Sequence, residues 1–242
     1  MPAKGALQSR RTPPDGEWLG GETRKGLAKQ DLMEMEAGSH PVFFPKGGMF
    51  FLEGQFAAGV FLLRRGTAKE SMVSSTGRIA IIRVVVPGVI LGVAAVLTGT
   101  PHESTVEALE PCRTDFLAIP LFLDLLKTSS HLGKTVADQL NRDLKDAYAS
   151  VRCLGLSGSM SGRLARRILH WSEYPMANED KNAAKKRIRV ILTREEIGQS
   201  MGTTRETASR MLGEFQEKRW ITMKGSVWTI SDEGAMRHEA AL

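Results

Sequence analysis

Cysteine is scarce: the chain of 242 residues has two, Cys112 and Cys153. They are far apart and carry no neighbouring ligand pattern. That excludes a disulfide framework and a zinc or iron–sulfur site built on four cysteines of one chain. Long apolar runs are missing too. No stretch reaches the roughly 18 apolar residues of a membrane-spanning helix, and the first 29 residues lack the apolar segment of a secretory signal. A reduced cytoplasm is the expected compartment. Metal-ligand spacing and a Gly-rich phosphate cradle are also lacking. His102-Glu103-Ser104 has the residue types of a nucleophile set, but adjacent residues of a strand point to opposite faces. An enzyme is not expected.

What is present is an ordinary packed composition, 42% hydrophobic and 25% charged, over a length that fits one or two domains. The formal net charge is +6, a long-range field that favours polyanionic partners. Much of it is C-terminal, since residues 156–242 hold 15 Lys/Arg against 11 Asp/Glu.

Residues 1–28 show no sustained periodicity and read as a flexible tail. From Pro41 the pattern is β: Val42–Phe44, Phe50–Leu52, Val60–Leu63, Ile79–Val86, Val89–Leu91 and Phe116–Ile119 are short apolar runs separated by glycines. Short strands at this spacing predict an antiparallel roll. The period then turns helical. Leu121 to Leu126 make a short helix, and a long one carries Leu132, Val136, Leu140, Leu144, Ala147, Val151 and Leu154 at steps of 4, 4, 4, 3, 4 and 3. Packing on its own roll and dimerisation compete for the first half of that stripe; dimerisation is the better reading for the second. Gly155-Leu156-Ser157-Gly158 reads as a break and hinge, and Gly162–Trp171 as an amphipathic helix. A polar loop from about Tyr174 to Lys186, a strand over Arg187–Leu192, two short helices and a hairpin over Trp220–Ile230 follow. The expected domains are a tail (1–28), a β-roll with flanking helices (29–129), a dimerisation helix (130–155) and a C-terminal domain (156–242).

The strongest local signal is LTREEIGQSMGTTRETASRMLGEF, Leu192 to Phe215. Thr193 followed three residues later by Glu196 is a capping box. Met201-Gly202-Thr203 is a tight turn, Thr203 or Thr204 caps the next helix, and Ala208, Met211, Leu212 and Phe215 form its inner face. Two short capped helices joined by such a turn make a helix-turn-helix. The outer face then shows Arg205, Glu206, Ser209 and Arg210 at the N-terminal end, the part that enters a DNA major groove. Arginine presents a planar fork to guanine O6/N7, and a carboxylate accepts from cytosine N4.

With these residues in view, the stretch from Pro41 to about Ile230 resembles the CRP–FNR transcription regulators. The matching segments are Pro87-Gly88-Val89-Ile90-Leu91-Gly92, Gly162-Arg163-Leu164-Ala165 and Thr193–Arg210. The resemblance implies an α+β chain: an antiparallel β-roll (double-stranded β-helix), a long dimerisation helix and a winged helix-turn-helix. It implies a cytoplasmic homodimer that binds double-stranded DNA and engages RNA polymerase, with no membrane partner. It also implies base readout by Arg205, Glu206, Ser209 and Arg210 on a palindrome of TGTGA-like half-sites, shifting toward TTGAT if Arg205 turns to phosphate. Arg194, Thr204, Thr207 and the wing-tip Lys224 fall where the family contacts phosphates, a task that suits cations and hydroxyls.

The departures from the family lie in the roll. Where cyclic-nucleotide binders hold ribose and phosphate, this chain has Val93, His102 and Glu103, and the adenine-facing pair aligns with Tyr148 and Ala149. A valine cannot accept from a hydroxyl, and a carboxylate repels the ligand's anion. These residues argue against cAMP. FNR-type iron–sulfur sensing needs four cysteines, and no spacing singles out His40, His102 or His131 as a haem ligand. No cofactor is expected, and the effector stays open. The competing reading is a ligand-binding or protein-interaction roll with a vestigial helix-turn-helix.

Overall fold

The computed structural model describes residues 33, 35–36, 38–156, 158–173 and 186–241. The expected tail and nearly all of the polar loop after Glu173 lie outside the described residues. The chain divides into two compact units. One runs to Ala68 and resumes over Val85–Asp138; the other joins Lys69–Val84 to Gln139–Leu242.

The β region consists of β1 (His40–Phe44), β2 (Met49–Phe51), β3 (Gly59–Arg65), β4 (Ala68–Val73), β5 (Ile79–Val85), β6 (Ile90–Leu91), β7 (Thr105–Ala108) and β8 (Cys112–Ala118). One sheet has the order β1-β8-β3-β6, and a second four-stranded sheet contains β2, β7, β4 and β5. This is the antiparallel roll the glycine-spaced runs predict. β3 is buried along its first five residues, as an unbroken apolar run in a doubly covered strand should be. β8 pairs antiparallel with it, from Gly59 opposite Ala118 to Arg65 opposite Arg113. A short helix, α1 (Val93–Thr98), follows β6, and α2 (Ile119–Thr128) follows β8.

Aromatic rings fill the first unit. Phe44 stacks on Phe50 at 4.1 Å, Phe50 meets Phe61 edge-on, and Phe61 packs on Phe116 at 4.9 Å. His102 stacks on Phe51 with centroids 3.7 Å apart. Segment 102–104 is an irregular bend rather than the strand the sequence suggested, although His102 is buried and Glu103 exposed. β4 and β7 are strands that no continuous apolar run marks in the sequence.

Next comes α3 (Ser130–Val151), which runs on into a π-helical turn over Arg152–Leu156. Gly155 and Leu156 therefore continue the helix instead of breaking it, a correction to the expected hinge; Ser157 lies outside the described residues. The stripe on α3 also divides. Leu132 and Val136 are buried within their own protomer at 0% and 4% exposure, whereas Leu144 and Val151 are 48% and 59% exposed. Val136 is therefore a core residue and is not available to a partner. Leu140, Ala147 and Leu154 are half-buried, and Tyr148 is exposed.

The C-terminal part is α4 (Met160–Glu173), β9 (Arg187–Arg189), α5 (Arg194–Met201), α6 (Arg205–Glu217), β10 (Ile221–Lys224), β11 (Val227–Ile230) and α7 (Glu233–Ala241). β9 is shorter than expected, and α7 was not anticipated. The three strands form a sheet of order β10-β11-β9. Trp228 of β11 meets Trp171 of α4 edge-on at 6.4 Å, and Phe215 of α6 meets Trp220 at 4.9 Å. Leu164, Ile168, Ile197, Leu212 and Phe215 are buried at their centre. This small core fixes two capped helices and a hairpin to one another.

Candidate nucleic-acid interface

α5 begins with the expected capping box. The Thr193 hydroxyl accepts from the Glu196 N–H at 3.2 Å, and the Glu196 carboxylate accepts from the Thr193 N–H at 2.8 Å. Two orphan donors of the first turn are thereby satisfied. Burial raises the Glu196 carboxyl, but hydrogen bonds from Lys69 and Thr193 outweigh it and hold the group below the usual carboxylate range.

Two glycines set the angle between α5 and α6. Gly202 ends α5 at φ 70°, a conformation that costs a side chain about 1–2 kcal/mol. A Cβ on Gly198 would lie 2.9 Å from the carbonyl oxygens of Thr203 and Thr204, so only a bare backbone lets α5 approach the start of α6. The Thr203 N–H uses that approach to donate to the Gly198 carbonyl at 2.9 Å. The sequence reading missed Gly198; a glycine interior to a short helix is the one signal that could have revealed it.

α6 is capped by Thr204, whose hydroxyl accepts from the Thr207 N–H. Its inner face is as expected, with Ala208, Met211, Leu212 and Phe215 buried. Arg205, Glu206, Ser209 and Arg210 are all exposed on the opposite side, at the N-terminal end. The Glu206 carboxyl is lowered by its own backbone N–H and the Thr204 hydroxyl, so it is ionised and able to accept. Among the described residues Arg210 makes an exposed i,i+4 pair with Glu214 at 3.5 Å, a contact of about 0.3–0.5 kcal/mol that a base edge easily displaces.

Around this face, Thr204 and Lys224 are exposed, while Thr207 and Arg194 are half-buried. Arg194 donates to the Met223 sulfur at 3.9 Å and borders a cleft of about 220 Å³ between α5 and the β10–β11 wing. Lys224 pairs with Val227 at the wing tip. A capped helix N-terminus, four exposed polar side chains and peripheral cations and hydroxyls form a surface suited to the edge and backbone of a duplex.

In the roll, Val93 and His102 are buried at 3% and 7% exposure, and Glu103 is exposed. Of the two residues aligned with the adenine-facing pair, Tyr148 is exposed and Ala149 half-buried. Among the described residues no helix is long and apolar enough to cross a membrane.

Comparison with known proteins agrees with this geometry. Residues 162–239 match the family model of the Crp-like helix-turn-helix domain, and residues 41–129 match that of the cyclic nucleotide-binding domain. The chain is 27% identical over 187 residues to the anaerobic regulatory protein of Haemophilus influenzae, covering 77% of this chain and 71% of that protein. It is 25% identical over 227 residues to the CRP-like cAMP-activated global transcriptional regulator of Mycobacterium tuberculosis, covering 89% and 95%. In fold it is similar to FixK2 from Bradyrhizobium japonicum, with a TM-score of 0.73 at 18% identity, over 84% of this chain and 98% of that one. With a roll, a long helix and a reading head of this kind, the chain belongs to the CRP–FNR family of DNA-binding transcription regulators.

Proposed function

We propose that the chain acts as a homodimer on a palindromic operator, with Arg205, Glu206, Ser209 and Arg210 reading base edges. The observation that carries this reading is the exposed outer face of α6, where those four side chains project beside a capped N-terminus. Arg205 and Arg210 take guanine edges, and Glu206 accepts from cytosine N4. Arg194, Thr204, Thr207 and Lys224 bind phosphates and fix the register. The two protomers join along Leu140, Leu144, Ala147, Val151 and Leu154; the exposure of Leu144 and Val151 supports this seam. A two-fold dimer then spaces its recognition helices by about 34 Å, and half-sites close to TGTGA lie about 10–11 base pairs apart.

The roll does not respond to cAMP. The buried Val93, which cannot accept from a ribose hydroxyl, and the exposed Glu103, whose carboxylate repels a cyclic phosphate, support this reading. The regulator works in the cytoplasm and acts through RNA polymerase.

Binding-site selection followed by alanine substitution tests the proposal. Selection should return a palindrome with TGTGA-like arms. Arg205→Ala and Arg210→Ala should each cost about 1–3 kcal/mol on it and relax one base position. Equal losses on selected and random DNA would assign base readout elsewhere.

A further inference from the structure

The β4–β5 hairpin groups with the C-terminal elements in the second unit, and it touches both ends of α5. Near its base the Lys69 ammonium donates to Glu196 in the first turn at 2.7 Å. Past its tip, the Arg78 Nη2–H donates to the carbonyl of Gly202, the residue that ends α5, at 3.3 Å. The tip itself is Ser74-Ser75-Thr76-Gly77, exposed throughout and closed by the Gly77 N–H on the Ser74 carbonyl.

Arg78 is thus placed where α5 turns into α6. Gly202 precedes Thr204, the N-cap of α6, by two residues, so their Cα atoms lie within about 7 Å. Arg78 is exposed, and among the described residues no carboxylate pairs with it. One guanidinium N–H is used on Gly202, and the planar fork retains donors of the geometry that phosphate oxygens accept. A second arginine, Arg163, donates to the adjacent Met201 carbonyl at 3.3 Å. Two cations therefore converge on the turn that leads into the recognition helix.

We propose that Arg78 is a further contact to the DNA backbone: a guanidinium carried by a hairpin of the roll that binds a phosphodiester beside the N-terminus of α6. This rests on the reading of α6 as the base-reading helix. It adds a phosphate ligand from a segment more than a hundred residues away in sequence.

The test is a salt series on the full-length protein with two duplexes of equal length, one bearing the selected palindrome and one random. Arg78→Gln keeps an N–H for the Gly202 carbonyl and removes the charge; Arg78→Lys keeps the charge. The glutamine variant should weaken on both duplexes alike, with the slope of log K against log salt shallower by about two units, one for each protomer of the dimer. The lysine variant should retain most of the slope, and both should melt with the wild type. An unchanged slope for Arg78→Gln would overturn the proposal and leave Arg78 as a tie between hairpin and turn. So would a lysine variant as weak as the glutamine variant, or a loss confined to the palindrome. Failure of the wild type to prefer its palindrome would sink the base-readout reading instead. The Arg78 slope would still be readable on random DNA, because phosphate binding does not depend on sequence.

Discussion

Arginine 167 is the most consequential buried polar group in the second unit, and replacing it with alanine is expected to cost about 2–4 kcal/mol of stability. The side chain is 3% exposed on α4. It donates to the Ser200 carbonyl at 2.5 Å, the Ser150 hydroxyl at 3.3 Å and the Ile82 carbonyl at 3.5 Å. It thereby ties together the last turn of α5, the long helix α3 and strand β5. The short bond to Ser200 has a charged donor and contributes about 1.5–3 kcal/mol; the two longer ones add little. Loss of two buried methylenes, Cγ and Cδ, adds about 1.6 kcal/mol. Against this stands the desolvation of the guanidinium, which lowers its pKa and which alanine relieves.

Methionine separates these contributions. Arg167→Met keeps most of the apolar stem and removes both the charge and its hydrogen bonds. Because burying a cation is costly, the methionine variant should lose about 1–2 kcal/mol, less than the alanine one. Urea unfolding followed by intrinsic fluorescence would measure both, the shift being read in the midpoint at constant slope. An alanine variant within about 0.5 kcal/mol of wild type, or a methionine variant less stable than alanine, would refute the reasoning.

Three further outcomes follow from the same geometry. Leu144→Asp combined with Val151→Asp should convert a dimer into monomers in sedimentation runs and abolish tight operator binding; a dimer that survives both changes removes the seam. Glu196→Gln should cost the α5 cap about 1 kcal/mol at neutral pH. Because the folded carboxyl titrates below its ordinary value of 4.5, the wild-type advantage is present above that value and disappears as pH falls through the lowered one; a gap between the two proteins that persists into strong acid would contradict the cap's ionic character. Calorimetry with cAMP or cGMP should give no heat at micromolar protein, and a micromolar Kd would show that the aromatic interior of the roll opens for a nucleotide.

The helix-turn-helix was legible because its signals are local. Thr193, Glu196, Gly202 and Thr204 each act within one helical turn, and the 3.6-residue period sorts Ala208 and Leu212 from Arg205 and Ser209 without any long-range information. The roll was readable in class but not in full. β4 (AKESMV) and β7 (TVEA) have no continuous apolar run: β4 buries only Ala68 and Ser71, and β7 alternates half-buried and buried positions. The stripe on α3 identified a face but not its partner. Leucine spacing looks the same whether the cover is the protomer's own core, as at Val136, or another chain, as proposed at Leu144. No local signal points to Lys69, Arg78 or Arg167, whose partners lie 127, 124 and 33 residues away.

Those distant partners decide the charge of the reading head. Glu195 and Glu196 both stand in the first turn of α5, where the helix N-terminus stabilises anions. Arg194, proposed above as a phosphate contact, is their neighbour in sequence. Two uncompensated carboxylates there would oppose a polyanion. Lys69 sits 2.7 Å from Glu196 with both side chains largely buried, 12% and 15% exposed, so solvent screens the pair weakly. The carboxylate keeps its capping hydrogen bonds while its net field is cancelled by a residue of the hairpin. Substituting Lys69 would therefore leave α5 folded by its own box and make the corner one unit more negative. The capping box thus suits the proposed DNA contact only in the presence of β4, whose Lys69 lies 127 residues from Glu196 in the sequence.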